Sequence, residues 1–178
     1  MFVLVTGGSG SGKSEYAEQR VLEFGDTIRY YLATMMCFDD EGKNRVERHR
    51  KMRRGKGFQT VERHLNLSGL ELPETSEKTT LLLECMSNLT ANEMFDQTGS
   101  REQTVEEVKT GIDRLRRKCD NLVVVTNEVF SDGIIYDEET RRFQSNLGKI
   151  NAYLAKHADE VVEIVCGLPV FVKGGLVK

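Results

Sequence analysis

The sequence lacks the patterns that mark membrane-spanning, secreted and zinc-stabilised proteins. Within its 178 residues no segment approaches the roughly 20 apolar residues that a membrane span requires. The apolar run at the N-terminus, Phe2–Thr6, is too short for a signal peptide and has no basic start. The four cysteines are widely spaced without a C-x-x-C pair, and there are only three histidines, so a structural zinc site is not expected. These absences predict a soluble protein of the reducing cytoplasm.

Positive charge is outnumbered overall but concentrated in one segment. The chain carries 25 Lys or Arg against 28 Asp or Glu, a net charge of −3. Residues 43–56 hold eight Lys or Arg against one acid, so this segment carries +7 and the rest of the chain −10. An acidic protein with one basic segment is a poor general nucleic-acid binder and is better suited to one polyanionic ligand. The alternative is that the segment is a solvated helix face. Steeply salt-dependent binding to RNA or DNA would instead indicate that the segment binds nucleic acid.

The order of apolar and amphipathic segments predicts an α/β fold in a single domain spanning residues 1–178. Apolar runs alternate with amphipathic segments, which indicates a largely parallel central sheet flanked by helices. Strands are predicted at 2–6, 28–33, 58–62, 79–85, 122–126 and 160–166, with a terminal antiparallel edge strand at 168–173. Helices are predicted at 14–24, 39–54, 87–95, 104–118 and 138–156, with a polar connection at 67–78 and a loop at 97–103. A Thr-x-x-Glu capping box at Thr104 and Glu107 is predicted to open the fourth helix.

A glycine-rich loop follows the first predicted strand and matches G-x-x-x-x-G-K-[ST] completely. Its residues are Gly7, Gly8, Ser9, Gly10, Ser11, Gly12, Lys13 and Ser14. The glycines let the backbone fold around an anion, Lys13 supplies a cation for the β- and γ-phosphates, and the Ser14 hydroxyl is a ligand for Mg²⁺. The helix that follows presents its N-terminus to the same phosphates. An ordinary Gly/Ser turn is the alternative, but the strand–loop–helix context predicts a P-loop NTPase-like domain that binds ATP or GTP with Mg²⁺.

Two carboxylates end apolar runs and are predicted to lie at the same edge of the sheet. Glu84 follows Leu81-Leu82-Leu83, and Glu128 follows the 122–126 strand. The carboxyl edge of a parallel sheet is where ligands bind, and P-loop enzymes place a metal-directed carboxylate there. A strand-terminal acid that points to solvent is the alternative for each. The N-K-x-D motif of switch GTPases is absent from the chain.

The chain resembles a known enzyme family along nearly its whole length. An ordered set of motifs extends beyond the glycine loop: Tyr31-Leu32-Ala33-Thr34, Arg45-Val46-Glu47-Arg48-His49-Arg50, Thr60-Val61-Glu62, Leu83-Glu84-Cys85, Val125-Thr126-Asn127-Glu128-Val129 and Ala158-Asp159-Glu160-Val161. With these motifs the sequence resembles the bifunctional adenosylcobinamide kinase / adenosylcobinamide-phosphate guanylyltransferases of cobalamin biosynthesis.

The resemblance implies a two-step activity on a corrinoid. ATP or GTP phosphorylates the aminopropanol hydroxyl of adenosylcobinamide, and GMP is then transferred from GTP through a histidine to give adenosylcobinamide-GDP. The R-x-x-x-H segment of this family places the guanylylated histidine at His49. Lys13 of the glycine-rich loop is the second predicted catalytic residue. Nucleotide contacts carry over to Gly7, Gly8, Ser9, Gly10, Ser11, Gly12, Lys13, Ser14, Ala33, Thr34, Met35, Arg50, Lys51, Met52, Arg53, Glu62 and Glu84. A small homo-oligomer is also implied.

His49 has surroundings that suit nucleophilic attack on phosphorus. An imidazole is a nucleophile only when it is neutral, and neighbouring cations disfavour the charged ring while neutralising charge on a phosphoryl group. On a helix, Arg45, His49 and Arg53 share one face. An exposed helix histidine with no function is the alternative. His64 and His157 lack such surroundings and are predicted to be structural.

Parts of the sequence depart from the family pattern. Residues 53–58 lack the usual Arg-Pro and Trp, and the loop Phe130–Tyr136, which is predicted to border the substrate, differs from the usual G-x-G-I-V-P. The identity of the acceptor is therefore less firmly implied than the nucleotide chemistry. Two alternative functions stand beside the main one: a P-loop small-molecule kinase without guanylyltransferase activity, and a nucleotide-gated interaction module.

Overall fold

The computed structural model describes residues 1–36, 40–130, 133–134 and 136–175. These residues form seven strands: β1 (Phe2–Thr6), β2 (Ile28–Ala33), β3 (Phe58–Glu62), β4 (Thr79–Glu84), β5 (Asn121–Val125), β6 (Glu160–Val165) and β7 (Leu168–Lys173). Five helices accompany them: α1 (Lys13–Leu22), α2 (Asp40–Met52), α3 (Met86–Phe95), α4 (Thr104–Lys118) and α5 (Glu138–His157).

One sheet joins all seven strands in the order β3-β2-β4-β5-β1-β6-β7. The strands β1 to β6 pair in parallel, and β7 pairs antiparallel with β6. The predicted α/β fold, with a largely parallel sheet and a terminal antiparallel edge strand, is confirmed. Because parallel strands end at a common edge, the residues that follow β1, β2, β3 and β4 all reach the same side of the domain.

The core lies on both faces of the sheet. On β1, Phe2 and Leu4 pack in the cluster that contains the apolar residues of α3, α4 and α5, whereas Val3 and Val5 pack against α1 on the other face. Successive side chains of a strand point to opposite faces, so a strand covered on both sides needs a continuous apolar run. This requirement is why the short apolar runs in the sequence identify the strands correctly.

Most element bounds agree with the predicted ones to within one or two residues. The helix α1 begins at Lys13 and ends at Leu22, before a turn in which Gly25 has φ 77°. The helix α2 ends at Met52 instead of residue 54, and its predicted start at residue 39 lies outside the described residues.

The predicted capping box at the start of α4 is wrong. Gln103 is the N-cap, and Thr104 is already the first helical residue. The Thr104 hydroxyl donates to the carbonyl oxygen of Arg101 (2.6 Å), and the Glu107 carboxylate accepts from the backbone N–H of Ser68 (3.2 Å). A short 3-10 turn over Arg101–Gln103 runs directly into α4 and displaces the N-cap from the threonine.

The connection at 67–78, predicted to be polar, contains buried apolar residues. It begins with a 3-10 turn, and Leu67 and Leu70 are buried against α4. A Cβ on Gly111 of α4 would lie 2.6 Å from the Cβ of Leu67, so the absence of a side chain at Gly111 permits this close packing.

The edge strand β7 is exposed along its whole length, although its sequence is largely apolar. Leu168 is 69% exposed and Val172 is 66% exposed. Apolar side chains are therefore presented to solvent at this end of the sheet. Among the described residues, no helix combines the length and apolar content needed to cross a membrane.

Candidate active site

The glycine-rich loop connects β1 to α1 and has the backbone of an anion-binding loop. Gly7, Gly10 and Gly12 have φ values of 150°, 72° and 94°, which side chains disfavour. A Cβ on Gly7 would lie 2.7 Å from the carbonyl oxygen of Ile164. The Lys13 ammonium donates to the carbonyl oxygen of Gly8 (2.9 Å), and α1 begins at Lys13. Backbone N–H groups at a helix N-terminus beside a lysine suit a phosphate group.

A cavity of about 460 Å³ joins this loop to the basic helix α2. The residues that the sequence predicted to form the site and that line this cavity are Ser9, Gly10, Ser11, Gly12, Lys13, Ser14, Ala33, Met35, His49, Arg50, Met52, Arg53, Glu62 and Glu84. The glycine-rich loop lines one part of the cavity, and the histidine and arginines of the basic segment line another part. The basic segment therefore borders this cavity and is not merely a solvated face.

Four of the residues predicted to contact the nucleotide do not line the cavity: Gly7, Gly8, Thr34 and Lys51. Thr34 is fully buried, and its hydroxyl donates to the carbonyl oxygen of Cys85 (2.8 Å). Its own carbonyl oxygen accepts from the Asn92 side chain (2.8 Å), so Thr34 fixes the strand ends around the cavity. Lys51 is exposed to solvent on α2.

Glu84 connects the phosphate loop, the sheet and His49. It is 8% exposed, and its Oε1 accepts a hydrogen bond from the Ser14 hydroxyl. Its Oε2 accepts from the phenol of Tyr31 (3.1 Å), and its Oε1 lies 3.6 Å from Nδ1 of His49. Burial, and secondly the charge of Glu84, raise the pKa of Tyr31, so the phenol remains a proton donor. The alternative that Glu84 is a solvent-facing acid is wrong.

Ser14 and Glu84 form a donor set that fits Mg²⁺. A hydroxyl and a carboxylate lie in contact at the cavity wall, and Mg²⁺ prefers such oxygen ligands. Within residues 1–36, 40–130, 133–134 and 136–175 there is no group of three or more His, Cys, Asp or Glu that could hold a metal ion. Proteins commonly bind Mg²⁺ through one or two side chains together with substrate phosphates, which this pair suits.

Arg53 places a buried cation beside Tyr31 in the same cavity. It is 8% exposed, and its guanidinium carbon lies 3.3 Å from the centroid of the Tyr31 ring. Its Nη1 has no hydrogen-bond partner among the described residues, although Arg53 lines the cavity. A buried guanidinium with an unused donor favours an anionic ligand, since burying an unpaired donor is costly. Arg50, in contrast, is exposed and lies 3.5 Å from Glu62.

A buried ion pair ties α2 to the helix that follows the phosphate loop. The Lys56 ammonium, just after α2, donates to Oε2 of Glu18 on α1 (2.6 Å). The Glu18 side chain is fully buried, and this burial raises the pKa of Glu18 even though Lys56 acts to lower it. The pair therefore fixes the end of the basic helix relative to α1.

Two residues have surroundings that the sequence did not indicate. Glu128 follows β5 at the predicted edge of the sheet but does not line the cavity that Glu84 lines, and its Oε1 accepts from the backbone N–H of Phe130 (2.9 Å). His64, expected to be structural, does line the cavity, and its Nδ1 is buried without a hydrogen-bond partner among the described residues. His157 lies elsewhere, with Nδ1 2.8 Å from the carbonyl oxygen of Tyr153 near the end of α5.

Two further expectations fall partly on residues that the structure does not describe. The loop at 130–136 is predicted to border the substrate. Its residues Ser131, Asp132 and Ile135 lie outside the described residues, whereas Tyr136 lies within them. The side chain of Arg45, predicted to share a face with His49, also lies outside them.

Several polar residues of the cavity wall were not predicted from the sequence. Tyr31, Thr60, Asn88 and Asn127 all line it. Asn127 belongs to the Thr-Asn-Glu-Val motif and donates to the hydroxyl of Ser87 (2.7 Å). Asn127 could have been found from its position just beyond β5, at the carboxyl edge of the sheet where ligands bind. The same position drew attention to its neighbour Glu128.

Comparison with known proteins gives a consistent family. A family model described as cobinamide kinase / cobinamide phosphate guanyltransferase (CobU) matches residues 3–172. The "Bifunctional adenosylcobalamin biosynthesis protein CobU" of Escherichia coli strain K12 is 33% identical over 184 residues, which cover 97% of this chain and 100% of that protein. The protein of the same name from Salmonella typhimurium is 30% identical with the same coverage. The "Bifunctional adenosylcobalamin biosynthesis protein CobP" of Pseudomonas aeruginosa is 28% identical and covers 96% of both chains.

Solved structures with very different sequences share the fold. One ATPase domain has a TM-score of 0.52 at 10% identity, covering 91% of this chain and 68% of that one. An ATPase from the type III secretion system of pathogenic bacteria has a TM-score of 0.57 at 8% identity, covering 96% of this chain and 56% of that one. These likenesses confirm the predicted P-loop NTPase-like fold.

Proposed function

The chain belongs to the cobinamide kinase / cobinamide phosphate guanyltransferase family, and from this membership we propose that it catalyses two successive transfers to a corrinoid. The first transfer phosphorylates the aminopropanol hydroxyl of adenosylcobinamide with ATP or GTP. The second moves GMP from GTP onto His49 and then onto the new phosphate, which yields adenosylcobinamide-GDP.

A single observation carries this proposal: one cavity holds both a phosphate-binding loop and a histidine on an arginine-rich helix. A simple kinase needs the loop and a metal site, but it has no need of a histidine facing the same phosphates. The distances support the arrangement, because Glu84 contacts Ser14 of the loop and lies 3.6 Å from Nδ1 of His49. Both transfers can therefore draw on one nucleotide site.

In the kinase step the loop holds the triphosphate and the acceptor hydroxyl attacks the γ-phosphorus. The bond from the γ-phosphorus to the bridging oxygen of the β-phosphate breaks, the nucleoside diphosphate leaves with that electron pair, and the hydroxyl proton is released to water. The backbone N–H groups and Lys13 bind the β- and γ-phosphates, which orients the transferred group and neutralises its charge. Ser14 and Glu84 would hold Mg²⁺, which supplies further charge neutralisation when it is bound. The role of these residues is mainly positioning and electrostatic, as phosphoryl transfer requires.

In the guanylyl step the neutral ring of His49 attacks the α-phosphorus of GTP. The bond from the α-phosphorus to the bridging oxygen of the β-phosphate breaks, and pyrophosphate leaves with that electron pair. Arg50 and Arg53 line the same cavity and can neutralise negative charge at the α-phosphoryl group and on pyrophosphate. An oxygen of the phosphorylated corrinoid then displaces the histidine.

We further propose that the protein works in the cytoplasm as a homo-oligomer. Five apolar side chains at the β6–β7 edge of the sheet are exposed, namely Val165, Leu168, Val170, Phe171 and Val172. An apolar patch of this kind on a folded domain supports an interaction surface, and a second copy of the chain is the partner that the family resemblance implies.

The test of the guanylyl step is the intact mass of the protein after incubation with GTP and Mg²⁺. We expect wild-type protein to gain the mass of GMP in an acid-labile, base-stable adduct, and His49→Ala to gain none. His157→Gln is the matched control, because His157 lies at the end of α5, away from the cavity, and this variant should form the adduct normally.

The outcomes separate the two enzymatic functions. If the wild-type protein phosphorylates cobinamide but never gains GMP, the chain is a kinase alone. If neither product forms from cobinamide and GTP, transfer chemistry is excluded and the protein is a nucleotide-binding module. Adduct formation that survives in His49→Ala would assign the nucleophile to another residue.

A further inference from the structure

A second cavity, of about 510 Å³, adjoins the cavity of the proposed nucleotide site. It is lined by Arg50, Arg53, Arg54, Gly55, Gly57, Phe58 and Thr60. Three of these residues, Arg50, Arg53 and Thr60, also line the nucleotide cavity, so the two spaces share a wall. Arg54 lines the second cavity but not the first. In the proposed function the nucleotide occupies the first space, which leaves the second without an assigned ligand.

The wall of the second cavity is positively charged. It contains three guanidinium groups, and no carboxylate is among the described residues that line it. Glu62 lies outside this wall, where its Oε1 is 3.5 Å from Nη2 of Arg50 and compensates one of the three charges. Within the described part of the chain, Nη1 of Arg53 is buried without a hydrogen-bond partner, and the Arg54 side chain forms no ion pair or hydrogen bond. Two positive charges therefore remain uncompensated.

This charge suits a phosphate monoester, which carries about −1.5 to −2 charges at pH 7 and three acceptor oxygens. The planar guanidinium group of arginine binds phosphate through two parallel charge-assisted hydrogen bonds. Phe58 adds an apolar ring to the wall, which suits an alkyl chain attached to the phosphate. The second cavity therefore matches a phosphate ester of an aliphatic group better than it matches a bare inorganic anion.

The turn at 54–57, which carries Arg54 into the wall, is held in place from two directions. Its two glycines have φ values of 79° and 74°, so the chain turns sharply between α2 and β3. Nη1 of Arg29 donates to the carbonyl oxygen of Lys56 (3.1 Å), and the Lys56 ammonium donates to Oε2 of Glu18 (2.6 Å). Little ordering of the backbone is therefore needed when a ligand binds, which favours affinity.

We propose that the second cavity binds the phosphate group of the phosphorylated corrinoid and that Arg54 is a ligand of this phosphate. The inference rests on the proposed function, in which that phosphate is the product of the first transfer and the acceptor of GMP in the second. The backbone N–H of Arg53 donates to the carbonyl oxygen of His49 (3.2 Å), so the shared wall lies one helical turn from the proposed nucleophile. An acceptor phosphate in the second cavity is thus next to the nucleotide cavity without entering it.

In the second transfer an oxygen of this phosphate forms a bond to the phosphorus of guanylylated His49. The nitrogen–phosphorus bond breaks, and its electron pair returns to the ring. Arg50 and Arg53, which line both cavities, neutralise charge where the two phosphorus centres approach each other. Pyrophosphate has a similar chemistry, but it consists of the β- and γ-phosphates of GTP, which the proposed function assigns to the glycine-rich loop.

The first test compares the binding of adenosylcobinamide phosphate and adenosylcobinamide by calorimetry, with GDP and Mg²⁺ in excess to occupy the loop without phosphoryl transfer. We expect wild-type protein to bind the phosphorylated form about tenfold more tightly or better, and Arg54→Gln to lose most of this preference. Arg54→Glu should disfavour the phosphorylated form further. Lys43→Gln is the matched control, since it removes a positive charge from the same segment, lines neither cavity and should keep the preference.

The outcomes of this titration separate the inference from the proposed function. Equal affinity of wild-type protein for the two corrinoids, or a preference that persists in both Arg54 variants, would overturn the inference alone. A loss of inorganic pyrophosphate binding in Arg54→Gln, with the corrinoid preference intact, would assign the cavity to the leaving group and overturn it too. If neither corrinoid binds, the proposed function and the inference are both wrong.

The second test uses guanylylated protein freed of GTP and follows the loss of GMP as adenosylcobinamide phosphate is added. In Arg54→Gln we expect the half-saturating concentration to rise about tenfold, while adduct formation from GTP without acceptor stays at the wild-type rate. An equal loss in adduct formation would assign Arg54 to the nucleotide and overturn the inference. If wild-type protein forms no adduct, the guanylyl step is wrong, and the corrinoid titration still decides what the second cavity binds.

Discussion

Replacing Lys56 with methionine removes the ammonium that pairs with a fully buried carboxylate, that of Glu18, at 2.6 Å. Methionine is unbranched and of similar length, so the loss is mainly one of charge. The Oε1 of Glu18 already lacks a hydrogen-bond partner among the described residues, and in Lys56→Met its Oε2 loses the ammonium as well. The buried charge is then left without its main compensation.

The size of the effect follows from burial. Removing one partner of a buried ion pair costs about 3–5 kcal/mol of unfolding free energy. The side chain of Lys56 is 29% exposed, so the lower end applies, about 3 kcal/mol. For a domain of this size that corresponds to a fall of about 6–12 °C in Tm. Glu18→Gln should cost less, about 1 kcal/mol, because Lys56 can then turn toward water.

The pH dependence has a definite sign. Burial raises the pKa of Glu18 above its ordinary value of 4.5, with Lys56 opposing the shift. A raised folded-state pKa means that stability is fully present below the unfolded-state pKa and is lost as the pH rises through the folded-state pKa. Lys56→Met removes the opposing interaction, so the pKa rises further. The stability difference between wild type and variant should be small near pH 4 and grow toward neutral pH.

Urea unfolding of wild type, the two single variants and the double variant at pH 4 and pH 7.5 measures the differences in unfolding free energy and their pH dependence. The double variant Lys56→Met/Glu18→Gln should recover most of the loss and be only about 1 kcal/mol less stable than wild type, which gives a coupling free energy of about 3 kcal/mol at pH 7.5. A Lys56→Met protein as stable as wild type, or equally destabilised at both pH values, would refute the argument from buried charge.

Three further predictions concern the site, the core and the surface. Lys13→Ala should lower both cobinamide phosphorylation and GMP-adduct formation at least 100-fold, because the cation of the phosphate loop is lost. A loss confined to one activity would argue against a shared nucleotide site. Gly111→Ala should lower the unfolding free energy by about 1–3 kcal/mol in urea titration, since its Cβ would lie 2.6 Å from Leu67; unchanged stability would show that this contact relaxes freely. Leu168→Asp should shift sedimentation toward the 20.2 kDa protomer, and an oligomer indifferent to this charge would place the interface elsewhere.

The middle of the sheet could be predicted from the sequence because the central strands β1, β4 and β5 are covered on both faces. Their buried stretches are mostly apolar, as in Leu81–Leu83 of β4, and short apolar runs separated by amphipathic segments are typical of such a sheet. The glycine loop could be predicted for a related reason, since its positive φ values require glycine at fixed spacing.

The contacts that organise the site could not be predicted, because they join residues distant in sequence. Glu18 lies on a helix where an acid is ordinarily solvated, and only the packing of Lys56 against α1 shows that its side chain is buried. The contact of Glu84 with His49 likewise depends on how α2 crosses the sheet edge. The capping box failed for a similar reason, since the Thr104 hydroxyl donates to Arg101 and is not free to cap α4.

The most direct test of the account is a structure with Mg²⁺ and an α,β-methylene analogue of GTP, in which the bond to be broken is blocked. We expect the β- and γ-phosphates to occupy the Gly7–Ser14 loop and a ring nitrogen of His49 to face the α-phosphorus at a reactive distance of about 3–3.5 Å. A triphosphate seated in the loop with the His49 ring turned away from every phosphorus atom, in its own subunit and in any neighbouring one, would contradict it.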